Sequence, residues 1–159
     1  MADTIINLST AGTTLSYAVE ATAGTRPTTG YTIIPGVKST PATNVSPETL
    51  DTTDLAETEY KTYIDGLKDL GGALEFTANM TEVLMSKWEA LMTSYETAKS
   101  SGKSIWFCIA TKGLSKAVYF KGNPSPLGMP ETSVGAVLEN TLYITPTNAP
   151  DWFEKPTTE

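Results

Sequence analysis

Histidine is absent from this sequence of 159 residues, and arginine and cysteine each occur once, as Arg26 and Cys108. Without histidine the chain has no Ser-His or Cys-His nucleophile pair, and it lacks the usual nitrogen ligand of zinc and copper sites. A lone cysteine excludes an internal disulfide. These absences argue against an enzyme, and they predict no catalytic residue, no metal site and no cofactor.

Basic residues are also scarce. The chain has 11 Lys plus Arg against 18 Asp plus Glu, a net charge of −7. A tight nucleic-acid binder needs the opposite sign, because neutralised phosphates supply most of its affinity. The longest apolar runs fall far short of the ~20 residues of a membrane-spanning helix, and the first residues have no signal-peptide pattern. We therefore expect a soluble protein made in a cytoplasm, with no membrane contact.

The length and a hydrophobic content of 40% predict one domain over residues 1–159, with extended segments at both ends. Residues 1–13 are polar and rich in threonine, which is typical of a loosely held N-terminal arm. Residues 146–159 contain three prolines around Trp152 and Phe153 and are predicted to form a C-terminal arm. Exposed aromatic side chains in such an arm indicate docking on another surface.

Most of the remaining chain alternates apolar and polar residues, which is the pattern of half-buried strands. The strand at 31–38 contains Pro35 and Gly36, so we expect it to bend or to lie at a sheet edge. The predicted strands cover residues 14–20, 31–38, 59–64, 73–80, 104–111, 114–121 and 132–145. The expected fold class is α+β and mainly β, a sandwich or barrel of antiparallel strands with one amphipathic helix packed on it.

The helix is predicted over residues 81–101, where the hydrophobic period changes from 2 to 3.6. Thr81 and Glu82 provide a cap and a first-turn acid, and Gly102 provides a stop. A stripe of large apolar side chains at helical spacing is much more often core than a ligand site. The predicted core face consists of Leu84, Trp88, Leu91, Met92 and Tyr95.

Residues 39–57 form a long acidic stretch with no lysine or arginine, and we predict an irregular loop there. It is either a mobile surface loop or a partner-binding loop, and its spaced apolar residues Val45, Leu50 and Leu55 favour the second. Asp51 and Asp54 could also be viewed as a cation site or an acid–base pair. No EF-hand order of ligands surrounds them, so solvated acids are the favoured interpretation.

Taken in order, these features resemble the major tail tube proteins of long-tailed, non-contractile bacteriophages. The resemblance extends over nearly the whole chain and depends on order and spacing, since no single motif is specific. It includes the region Asp65-Gly66-Leu67-Lys68-Asp69-Leu70-Gly71 before the helix. The other matching segments are residues 33–38, 51–54 and 59–64, the alternating strand to Met80, the single helix and the closing hairpin.

This resemblance implies a structural virion protein that assembles into hexameric rings, stacked as the tube through which DNA is ejected. Residues 39–57 then resemble the inter-ring arm, and its implied contact residues are Val45, Leu50, Asp51, Asp54 and Leu55. Glu75 and Glu139 are candidates for the lumen wall, where negative charge would let DNA pass without specific binding, although simple solvation explains them too. The implied partners are further copies of the chain, a tape measure protein and tail terminator or tip proteins.

Two other functions remain as alternatives at this point. The first is a monomeric binding module, such as an immunoglobulin-like domain on a virion surface. It would need exposed aromatic residues clustered on loops at one end of the sandwich, and only Trp152 and Phe153 qualify. The second is an enzyme that uses Asp51 and Asp54, which the absence of histidine disfavours.

Overall fold

A computed structural model describes residues 7–44 and 46–156. Val45, the first six residues of the N-terminal arm and the last three of the C-terminal arm lie outside the described residues. The elements are β1 (Thr14–Val19), β2 (Thr32–Ile33), β3 (Val37–Ser39), β4 (Pro47–Asp51), β5 (Tyr63–Lys68), β6 (Leu74–Asn79), α1 (Glu82–Ser100), β7 (Ile105–Ala110), β8 (Lys116–Pro124), β9 (Glu139–Pro146) and β10 (Asp151–Glu154).

Eight of the strands form one antiparallel sheet in the order β2-β1-β7-β8-β9-β6-β3, with β10 beside β8. The sheet curls into a half-barrel because the single segment 32–39 pairs with both of its edges. The amide of Ile34 donates to the Leu15 carbonyl (2.8 Å), and the amide of Asn79 donates to the Gly36 carbonyl (2.9 Å). The fold is thus α+β and mainly β, as the sequence predicts.

The bend between β2 and β3 depends on Gly36. Its φ of 78° lies in the left-handed region, where side chains other than glycine are strained. A Cβ atom at this position would also come within 3.2 Å of the Asn79 carbonyl oxygen. Gly36 therefore lets one short segment change its pairing partner, from β1 at Ile34 to β6 at Val37.

Helix α1 lies across one face of the curled sheet, which we call the inner face. Thr81 caps it, because its Oγ1 accepts a hydrogen bond from the Leu84 amide (3.2 Å). Leu84, Trp88 and Leu91 are buried in the core. Met92 and Tyr95 are partly buried against it. The sheet contributes to this core Leu15, Tyr17, Leu74, Phe76, Ala78, Ile105, Phe107, Phe120, Leu142 and Ile144.

A second buried cluster lies on the opposite, outer face of β7 and β8. Trp106, Cys108, Ala117 and Tyr119 form it, and the connection between β1 and β2 covers it. From that connection, the Arg26 guanidinium stacks 4.6 Å from the ring centre of Tyr119 and 4.3 Å from that of Phe153. The only arginine of the chain therefore joins β8 to β10.

Glu20 also belongs to this outer cluster and is only 2% exposed. Its carboxylate accepts hydrogen bonds from Trp106 Nε1 (3.0 Å) and from the Gly24 amide. Both oxygens are thus used to position the β1–β2 connection over the sheet.

Replacing Glu20 with alanine is expected to lower the free energy of unfolding by about 1–3 kcal/mol, because the buried Trp106 Nε1 donor and the Gly24 amide both lose their acceptor. Urea unfolding of the variant measures this change. The matched control, Glu75→Ala, removes an exposed carboxylate and should stay within about 0.5 kcal/mol of the wild type. Equal losses in the two variants would contradict the structural role of Glu20.

The structure corrects the predicted boundaries of three segments. The segment predicted to be an irregular loop, residues 39–57, contains β4 near its middle, and β4 pairs with β5. The strand predicted at 59–64 lies instead at Tyr63–Lys68. The strand predicted at 132–145 begins only at Glu139, since Val134 and Val137 belong to an exposed connection over residues 125–138.

The predicted C-terminal arm is partly a strand of the sheet. β10 continues the line of β9 along β8, with Asp151 opposite Tyr119 and Glu154 opposite Lys116. Between the two strands, Asn148 Oδ1 accepts a hydrogen bond from the Lys121 amide (2.7 Å) and so replaces a missing backbone partner. Docking of this segment is therefore intramolecular over residues 151–154.

Candidate assembly surfaces

The β4–β5 hairpin, residues 47–68, forms a two-stranded sheet of its own. Leu50 pairs with Ile64, and Asp51 pairs with Tyr63. Most of the hairpin is exposed. Its exposed apolar side chains include Leu50, Ile64 and Leu67, and Leu67 is 85% exposed. The hairpin lacks the apolar cover that β6, β7 and β8 have, and an isolated two-stranded sheet is only marginally stable in water.

Gly66 explains why a sequence that predicts a turn at Asp65-Gly66 forms a strand. The pairing between β4 and β5 is irregular between Pro47 and Thr49. There the strands approach so closely that a Cβ atom at Gly66 would lie 3.1 Å from the Glu48 carbonyl oxygen. Glycine is required for close backbone approach here and does not mark a chain reversal.

The tip of the hairpin, residues 52–62, is held by its own polar groups. The Thr52 amide donates to the Thr62 carbonyl (2.8 Å), and the Thr62 amide donates to Thr53 Oγ1 (2.8 Å). Asp51 and Asp54 each accept a hydrogen bond from the amide two residues ahead, those of Thr53 and Ala56 (both 2.9 Å). Two of the predicted contact residues thus shape the tip.

Hydrogen bonds from the side chain and then the backbone of Thr53 lower the pKa of Asp51. Asp51 is therefore ionised at neutral pH, which does not suit a general acid. Among the described residues, no group of three or more carboxylate or thiol side chains could hold a metal ion. The tip presents Leu55 fully to solvent and Tyr60 at 79% exposure.

The hairpin is also strongly acidic. Residues 47–68 carry six acidic and two basic side chains, a net charge of −4 out of the −7 of the whole chain. The acids are Glu48, Asp51, Asp54, Glu57, Glu59 and Asp65, all exposed. The hairpin therefore combines uncovered apolar side chains with most of the excess negative charge.

A second exposed apolar segment is the connection over residues 125–138. Met129 is 83% exposed, and Val134 and Val137 are also exposed. This segment enters β9 at Glu139, which pairs with Asn79, whereas the hairpin enters β6 at Leu74, which pairs with Ile144. The segment starts beside Tyr143, whose carbonyl accepts a hydrogen bond from the Ser125 amide (3.0 Å). Its last part, which includes Val134 and Val137, therefore lies at the opposite end of the β6–β9 pair from the hairpin.

The outer face of β6 and β9 is polar. Glu75 lies opposite Tyr143, Thr77 opposite Thr141, and Asn79 opposite Glu139. Glu75 and Glu139 thus share one face, away from α1. Glu139 forms an ion pair with Lys38 on β3, so only Glu75 adds uncompensated negative charge to this face.

Several exposed residues of these surfaces were missed by the sequence interpretation. Ile64, Val134 and Val137 lie in predicted strands, whose apolar residues normally indicate a buried face. Leu67 and Met129 lie in segments rich in turn residues, where no contact surface was expected. Cys108 is buried, and burial is the main cause of the raised pKa of its thiol. In the described part of the chain, no helix has both the length and the apolar character for crossing a membrane.

No family model matches the sequence, and no curated protein matches it. A comparison of folds finds a similar solved structure, a chain from the cryo-EM structure of the anti-feeding prophage baseplate, 6-fold symmetrised. The TM-score is 0.57 at 9% sequence identity, with 97% of this chain and 98% of that chain covered. This chain therefore shares the fold of a chain of that baseplate structure over nearly its whole length.

Proposed function

We propose that this protein is a structural virion subunit that assembles into hexameric rings, and that the rings stack into the tube of a non-contractile phage tail. The observation that carries the proposal is the β4–β5 hairpin, which projects with exposed apolar residues such as Leu50 and Leu55. Monomeric proteins rarely leave large apolar patches uncovered. The full-length similarity to a chain of a 6-fold symmetrised baseplate supports the same proposal.

The positions of the two exposed apolar segments favour stacking. Val134 and Val137 lie at the opposite end of the β6–β9 pair from the hairpin, so the hairpin of one copy can face this part of residues 125–138 in the next. A contact between different surfaces of identical copies continues indefinitely unless rotation closes it. Along the tube axis such a contact produces a filament, and in this arrangement Leu50, Asp51, Asp54 and Leu55 belong to the inter-ring contact.

The polar outer face of β6 and β9 is the proposed lumen wall. Glu75 supplies negative charge there, and hydroxyl groups of Thr77 and Thr141 supply neutral polar surface. Such a wall repels phosphates and offers no lysine cluster for counterion release, so DNA passes without specific binding. The proposal includes no catalysis and no cofactor.

The other proposed partners are a tape measure protein and the terminator or tip proteins at the tube ends. The protein would be made in the cytoplasm of the bacterial host and function in the virion tail. A monomeric binding module is less well supported, because Phe153, one of its two candidate aromatics, packs against Tyr119 and Arg26.

Sedimentation and negative-stain electron microscopy of the purified protein over a wide concentration range test the proposal. We expect six-membered rings at moderate concentration and tubes of uniform width when the protein is concentrated. A protein that stays monomeric at every concentration and salt condition would contradict it.

A further inference from the structure

The turn between β7 and β8 carries an unusual concentration of lysine for so acidic a chain. Lys112 and Lys116 are exposed. Lys155 joins them, because its amide donates to the Ser115 carbonyl (3.4 Å) and its Nζ donates to the Thr111 carbonyl (2.9 Å). Three of the eleven basic residues thus meet at one turn, which we call the basic turn.

Apolar side chains accompany these lysines. Leu114 is 37% exposed within the turn, and Leu8 is 47% exposed where it packs beside Gly113. The acidic residue nearest in the sheet is Glu154, opposite Lys116. The basic turn therefore offers both positive charge and apolar surface.

The basic turn and the hairpin lie at the same end of the sheet. Residues 37–40 line a groove of about 670 Å³ together with Ile109 and Thr111, at the end of β7. Residues 41–44 continue past Ile109 and Val118 along a second groove of about 360 Å³. The chain then enters β4, so the hairpin leaves the fold beside this end.

Within one copy, however, the two surfaces do not meet. Over residues 7–44 and 46–156 the ion pair formed is that between Lys38 on β3 and Glu139 on β9, which spans β6 and involves neither surface. The acids of the hairpin and the lysines of the basic turn thus remain unpaired with each other. Each surface complements the other in charge, and each also exposes apolar groups.

We propose that the hairpin of one copy docks on the basic turn of the neighbouring copy in the same ring. Two acids of the hairpin tip, Glu57 and Glu59, face Lys112 and Lys116, while Leu50 and Leu55 stay available for the next ring. This inference rests on the proposed function and identifies the contact that closes the ring. Because two different surfaces are joined, the contact is head-to-tail, and it closes into a ring when its rotation completes a full turn over six copies.

Complementary charge at an interface fixes orientation and raises the association rate, and salt weakens it. Ring formation should therefore need at least tenfold more protein in 1 M than in 0.1 M sodium chloride. If salt leaves ring formation unchanged, this contact does not depend on charge and the inference fails, while the tube proposal remains.

Charge reversal gives the sharper test. Glu57→Lys with Glu59→Lys, and separately Lys112→Glu with Lys116→Glu, should each raise the protein concentration needed for rings at least tenfold. These four side chains make no hydrogen bond that shapes the tip or the turn, so thermal unfolding should change little. The matched control Lys87→Glu reverses an exposed charge on α1 and should assemble like the wild type.

The chain that carries all four reversals should recover ring formation, because the charges are complementary again. Recovery supports the contact. A quadruple variant that needs as much protein for ring formation as either double variant would overturn it. A wild-type protein that forms no rings would overturn both this inference and the tube proposal, so the two failures are distinguishable.

Discussion

Removing the tip of the β4–β5 hairpin is expected to abolish tube formation without unfolding the subunit. The variant joins Asp51 to Tyr63 through Asn-Gly in place of residues 52–62, because these two residues are paired and Asn-Gly favours a two-residue hairpin turn. It removes Leu55 and Tyr60 together with four charged side chains, those of Asp54, Glu57, Glu59 and Lys61. The measurement is tube length by negative-stain microscopy at a concentration where the wild type forms tubes.

The control for this variant is its thermal unfolding. The tip makes its described hydrogen bonds within the segment 51–62, so the midpoint should stay close to that of the wild type. A variant that is folded and still forms tubes of normal length would show that the tip has no assembly role. The double substitution Leu55→Ser with Tyr60→Ser keeps the loop length and should shorten the tubes for the same reason.

Replacing Trp88 with alanine is expected to cost about 3–5 kcal/mol of the free energy of unfolding, the usual loss for a large aromatic core residue. Trp88 is 2% exposed, and its Nε1 donates to the Ser125 carbonyl (2.9 Å). The substitution therefore opens a cavity between α1 and the sheet and also releases the start of the connection 125–138. Urea unfolding followed by fluorescence measures the loss.

Trp152→Ala is the matched control, since this tryptophan on β10 is 54% exposed. The free energy of unfolding of this variant should fall by about 1 kcal/mol or less, because the Trp152 side chain has little buried area to lose. If the two alanine variants lost equal stability, α1 would not be fixed to the sheet through Trp88. Trp88→Phe should fall between the wild type and Trp88→Ala.

The helix and β6 could be predicted from the sequence because each is specified by a local period. The 3.6-residue spacing of Leu84, Trp88 and Leu91 and the alternation over Leu74, Phe76 and Ala78 each match a buried stripe. A local pattern is sufficient to predict a helix or strand when that element packs against the core. The predicted fold class followed from these patterns and is confirmed.

The hairpin could not be predicted in the same way. β4 contains proline, threonine and acids, all typical of loops, and it forms a strand because β5 pairs with it. β5 in turn contains Asp65-Gly66, which normally indicates a turn. Neither strand buries a face in the monomer, so neither has the apolar alternation by which the other strands were identified.

The outer cluster could not be predicted from the sequence for another reason. Arg26, Tyr119 and Phe153 are far apart in sequence and meet only when β10 lies beside β8. Prolines flank Trp152 and Phe153, and that composition indicated an arm. Long-range pairing overrode local composition here, as it did in the hairpin.

An electron cryomicroscopy reconstruction of the assembled wild-type protein tests the proposed function most directly. We expect six-membered rings in which each hairpin, residues 47–68, is buried against other copies, with Glu75 facing the lumen. A reconstruction in which the hairpins project freely into solvent, or a sample with no ordered assembly, would contradict it.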